Sequence, residues 1–112
     1  MDVAMHSRIV AFSTKITDDA LHAFVVSELR GAWQLRHGLQ QGTVEHGKAI
    51  VYVSVEPFDD LEPEEVEDLR ERLAGPLRCL VAIQPGRAPG SAELAAGVLQ
   101  RIGEKWGGIV FL

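Results

Sequence analysis

Four histidines, one cysteine, a short Arg-Gly loop and a run of carboxylates are the groups in this chain that could do chemistry. His6, His22, His37 and His46 never fall at the i, i+2 spacing of a strand or the i, i+4 spacing of a helix that would aim two imidazoles at one metal ion. Only His37 and His46 are placed to face each other across a hairpin, as a weak surface site, so the reading is that the protein carries no metal and needs no cofactor. Cys79 lies within an apolar stretch beside Arg78, which alternation sends to the opposite face, so its thiol is expected to be a core group that ionises poorly. No Gly-x-Ser-x-Gly elbow is present, and Ser91, between Gly90 and Ala92, stands where a helix cap is expected rather than a nucleophile. The segment Pro85 to Ser91 joins Arg87, two glycines and a helix start, a combination suited to an anion. It lacks the spacing of a phosphate-binding loop, and Pro85 and Pro89 remove amide donors, so an exposed connector is the better reading. The sequence therefore predicts no catalytic residues and no enzyme.

The carboxylates are different in kind. Between Glu56 and Arg72 the chain holds nine acidic and two basic residues, a local charge of -7, whereas the rest of the chain is +2 and the total is -5. At 100° per residue Glu64, Glu67, Asp68 and Glu71 fall opposite Val66, Leu69 and Leu73, with Asp59 and Asp60 just before. Acids in a first turn gain from the helix dipole, and Asp68 can pair with Arg72 one turn on. The pairs Glu64 with Asp68 and Glu67 with Glu71 oppose helix stability by roughly 0.2 to 0.5 kcal/mol each. A solvated face tolerates that cost, and a single-sign field also speeds association with an oppositely charged partner.

Around these groups the composition is ordinary: 112 residues, 46% hydrophobic and 24% charged. That predicts one domain spanning residues 1–112, able to bury about two-thirds of its unfolded surface without disulfides or metal. The first residues, MDVAMHS, lack the basic and apolar regions of a signal peptide, and Met5 is a second candidate start. No apolar run approaches the ~20 residues of a membrane span. The expectation is a soluble, cytoplasmic protein with no membrane partner.

The elements that would position the groups follow from periodicity and punctuation. Residues 7–14 read as a strand and 18–30 as a helix capped by Thr17 and closed by Gly31. Alternating large residues at 33–39, continued through 43–45, form one arm of a hairpin whose turn is at 46–48 and whose other arm is 49–55, with Gly38 and Gly42 marking a bulge or an irregular entry to the first arm. Pro63 opens the acidic helix and Gly75-Pro76 stops it. Residues 77–84 form a central strand, 91–106 a third helix carrying Trp106 in the core, and 109–112 a last strand parallel to its neighbour or next but one. The order β-α-β-β-α-β-α-β predicts an α+β two-layer sandwich, a ferredoxin-like β-α-β-β-α-β core extended by a further helix and strand. With all helices on one face, Leu80 and Ala82 point to the other, which then needs a cover: the third helix, a second copy of the chain, or another partner.

Three families of that architecture fail on residues. Acylphosphatases use an asparagine, and this chain has none. RNA-recognition modules stack bases on central-strand aromatics; here only Phe12, Tyr52 and the terminal Phe111 qualify, and the negative charge opposes phosphates, so no nucleic-acid partner is expected. ACT-like sensors use a glycine after the first strand, absent from 13–16. In size, acidity and concentrated negative face the chain resembles the immunity proteins that bacteria pair with toxins. That resemblance implies inhibition by occlusion: Asp59, Asp60, Glu64, Glu67, Asp68 and Glu71 would occupy the basic groove of a nuclease-type toxin, with Trp33 or Tyr52 as aromatic anchors. The alternative is a homo-oligomeric ligand-binding or regulatory domain, dimeric through its open sheet face.

Overall fold

The computed structural model describes residues 7–110 and shows an α+β fold in which six strands form one sheet. In chain order these are β1 (Arg8–Phe12), α1 (Asp18–Ser27), β2 (Ala32–Arg36), β3 (Leu39–His46), β4 (Ala49–Glu56), α2 (Pro63–Leu73), β5 (Cys79–Pro85), α3 (Ser91–Trp106) and β6 (Ile109–Val110). The strands lie in the order β2-β3-β4-β5-β1-β6 and every neighbouring pair is antiparallel. Because β5 and β6 are both antiparallel to β1, they run parallel to each other with β1 between them. This is the next-but-one placement expected for the last strand. Phe111 and the end of that predicted strand lie outside the described residues.

The strand order differs from a ferredoxin-like core. There each helix joins two parallel strands, whereas here α2 joins β4 to β5, which are antiparallel neighbours. The cause is local: the segment read as one hairpin is a three-stranded meander, and the additional strand reverses the chain direction. His37 (φ 52°) and Gly38 (φ 77°) both occupy the left-handed region, the geometry of a two-residue hairpin turn, so Gly38 makes a reversal and not a bulge. The second reversal, at Gly47 and Lys48, falls where the sequence placed it.

Layering departs from expectation as well. Along β1, Val10 and Phe12 join Val51, Val53, Val81 and Ile83 in a core roofed by Leu21, Phe24 and Val25 of α1 and Ala95, Val98 and Ile102 of α3. The intervening Ala11 packs instead with Leu69, Leu77 and Leu80, flanked by Ile9, Leu73 and Ile109. Successive strand residues face opposite ways, so α2 lies on the other side of the sheet. The helices do not share one face, and the cover that Leu80 requires is α2.

Local chemistry sets the helix ends. Thr17 Oγ1 accepts the Ala20 amide at 3.1 Å, as an N-cap should. At α2 the Glu65 carboxylate accepts the Glu62 amide at 2.9 Å, Pro63 fills the first turn, and Ala74 closes the helix in the left-handed conformation at φ 56°. Ser91 does not cap α3: Gly90 takes that place, and the buried Ser91 Oγ accepts the Ile50 amide at 3.1 Å, tying α3 to the start of β4.

Candidate functional site

The acidic residues singled out from the sequence form one surface. Asp59 and Asp60 are exposed in the turn before α2, and Glu64, Glu67, Asp68 and Glu71 are exposed along it, because only Leu69 is buried while Val66 and Leu73 are half-buried. Asp68 pairs with Arg72 at 3.5 Å and Glu67 with Arg70 at 3.3 Å, both on the solvent side. Arg72 also donates to the Val110 carbonyl at 3.1 Å, which fastens α2 to β6. Among the described residues Asp59, Asp60, Glu64 and Glu71 have no salt-bridge partner. Pairs this exposed contribute little to stability, at most about 1 kcal/mol each, and neutralise only part of the field.

The two aromatic candidates part company. Tyr52, on β4, shares the α2 side of the sheet, since its neighbours Val51 and Val53 point into the core beneath α1 and α3. Trp33 lies on β2, the terminal strand, and packs against the core on the opposite face. It is held there firmly. Its ring stacks on His22 with centroids 5.1 Å apart and planes 5° from parallel, and its Nε1 donates to Gln40 Oε1 at 2.9 Å. Gly42 makes the arrangement possible, because a Cβ there would sit 3.0 Å from both the Trp33 ring and Val25. The structure thus brings Tyr52 and the acids to one side and leaves Trp33 on the other.

Where α2 ends, the same side of the sheet stays open. Tyr52, Ser54 and Glu56 of β4, Ala82 and Gln84 of β5, and Leu39 and Gln41 of β3 line a groove of about 850 Å³, which Ile9 and Asp18 also border. Ser54 Oγ donates to Glu56 Oε2 at 2.8 Å, which orients that carboxylate along the groove. Sequence reasoning anticipated an uncovered sheet face from Ala82 but not the mixture of Tyr52, Ser54 and Glu56 with Leu39 and Ile9 that lines it. Alternation along β4 (Tyr52, Ser54, Glu56) carries the signal once the partner strands are known.

The remaining candidates have structural roles. His37 sits in the β2-β3 turn and His46 at the far end of β3, paired with Ala49, so the two do not face each other across a hairpin. Among the described residues no cluster of three potential metal ligands occurs. Cys79 is buried, with its sulfur 3.6 Å from the Ile16 carbonyl, and burial pushes its thiol pKa up, the carbonyl contact being a secondary influence. Trp106 packs edge-on against Phe24 at 4.9 Å, in the core position expected of it. In the Arg87 loop, the Gly86 amide donates to the Ile50 carbonyl and the Ser91 amide to the Ala88 carbonyl, so two of its donors are spent internally. No described helix is long and apolar enough to cross a membrane. Compared with protein-family models, with curated proteins and with solved structures, the chain finds no match.

Proposed function

We propose that this protein is a non-catalytic binding domain that neutralises a basic protein partner, acting in the cytoplasm as the immunity protein of a bacterial toxin. One observation carries the reading: the exposed side of α2 and the Asp59-Asp60 turn present a continuous negative field in which Asp59, Asp60, Glu64 and Glu71 lack a cationic partner among the described residues. Such a field steers an oppositely charged protein and fits over a groove built to hold phosphates. Tyr52 lies on the same side and supplies an aromatic anchor beside the charged rim. Inhibition follows from occlusion and requires no reacting group.

The test compares the wild-type chain with a variant carrying Glu64→Lys, Glu67→Lys and Asp68→Lys, both tagged and recovered from native lysate at low and high salt. A basic polypeptide retained in about equal amount by the wild type, released by salt and lost from the variant supports the proposal. Identical companions for both proteins would sink it. Circular dichroism guards the comparison, since all three positions are exposed and the fold should persist.

A second reading rests on the groove. Its glutamines, hydroxyls and two carboxylates, Glu56 and Asp18, stand among the apolar Ile9, Leu39, Val55 and Ala82, which suits a small ligand of mixed polarity and would make the protein a ligand-binding or regulatory domain. Thermal shift against small metabolites, with Ser54→Ala and Gln84→Ala as controls, separates this reading from the first, because neither residue belongs to the acidic surface or its aromatic anchor.

A further inference from the structure

The sheet ends differently on its two sides. Among the described residues β6 contributes two, next to Gly107 and Gly108, whereas β2 contributes five and has no further neighbour. A terminal strand leaves backbone N–H and C=O groups without ladder partners, and proteins commonly blunt such edges with proline, lysine, a bulge or a covering segment. β2 (AWQLR) has no proline and no lysine, carries its one charge at the last position, and pairs with β3 in unbroken register. It also carries exposed apolar surface: Leu35 is 70% exposed on the α1 side, and Leu39, across the turn and facing the other way, is 72% exposed. Trp33, fixed by His22 and Gln40, adds a rigid aromatic on the α1 side.

We propose that β2 is the seam of a symmetric homodimer in which the β2 strands of two copies pair antiparallel about Gln34. In this register Trp33 of one copy stands opposite Leu35 of the other on the α1 side, and Ala32 stands opposite Arg36. The pair is self-complementary as a two-fold axis requires, and it places the exposed leucine against an aromatic already held in place. Charge selects the occupant. Residues 20–44 contain only Glu28, Arg30 and Arg36 as charged groups, a local +1, while the acids of α2 lie over β1 and β6 at the far side of the sheet. A second copy meets a near-neutral patch with its own near-neutral patch, and a basic partner finds no counter-charge there. The α2 surface remains free in the dimer, so this inference stands apart from the proposed function.

Sedimentation equilibrium of the full chain from micromolar to near-millimolar concentration should show the mass rising from 12.2 kDa toward twice that value. Leu35→Lys should weaken the dimer about tenfold or more, by losing buried apolar area and charging the edge. Gln34→Glu and Gln34→Lys should each weaken it roughly threefold at low salt, because each sets like charges against each other on the axis. Their equimolar mixture should restore it. A constant 12.2 kDa mass, a dimer indifferent to the Leu35 and Gln34 substitutions, or weakened variants that mixing does not rescue would each overturn the proposal. So would a monomer whose β2 variants lose a basic protein instead. Gln34 and Leu35 are exposed, so unchanged circular dichroism is expected throughout.

Discussion

Cys79 holds its proton to a higher pH in the folded chain than in the unfolded one, because burial disfavours the thiolate. Above the ordinary thiol pKa of about 8.5 the unfolded state loses that proton while the native state keeps it, so stability falls as pH rises, by at most about 1.4 kcal/mol per unit. Urea unfolding at pH 7 and pH 10 should show this decline in the wild type and a shallower one in Cys79→Ala; parallel declines would contradict it. Ser91 is the other residue whose chemistry the fold spends on structure. Its hydroxyl accepts the Ile50 amide between α3 and β4, so Ser91→Ala leaves that amide unsatisfied and should cost about 1 to 3 kcal/mol in the same assay. A capping role would cost a similar amount, but Ser91→Thr discriminates: a cap tolerates it, whereas a site only 1% exposed has no room for the extra methyl.

At the scale of elements, the end of α2 offers a gain. Ala74 takes the left-handed conformation at φ 56° that glycine occupies without strain, so Ala74→Gly should stabilise the chain by about 0.5 to 1 kcal/mol, read as a higher denaturation midpoint with an unchanged slope. The three helices, the central strand and the Gly47 turn were all legible, because amphipathic spacing, Thr17, Pro63 and Gly75 are local signals that the structure obeys. The His37-Gly38 turn was not, since alternation continues through it from Trp33 to Leu39 and a histidine rarely occupies the first place of such a turn. That single reversal made a hairpin into a meander, and strand order and layering then diverged. Which side of the sheet α2 would cover was likewise beyond local patterning: its stripe of Val66, Leu69 and Leu73 fits either face. The acidic surface, by contrast, survives the change of topology, because the exposure of Glu64 or Asp68 depends on the helix alone. The groove needed the strand neighbours to be known before Tyr52, Ser54 and Glu56 could be joined with Gln84.

For the whole molecule the decisive quantity is where charge sits. The -7 segment and the near-neutral β2 edge lie at opposite sides of the sheet, so the two proposed interfaces, one electrostatic and one apolar, occupy different parts of the molecule. Association through α2 should slow about tenfold between low and physiological ionic strength, measurable by stopped flow, while self-association through β2 should hardly respond to salt. The one-sided reach of α2 has another consequence. β1 and the Cys79–Val81 half of β5 are clad on both faces, the rest of β5 together with β4 and β3 borders an open groove on one, and β2 ends the ladder. Opening free energy should therefore form a gradient across the sheet, and native-state hydrogen exchange should release deuterium from β2 first, then β3 and β4, with the amides shared by β1 and β5 persisting until the whole chain unfolds.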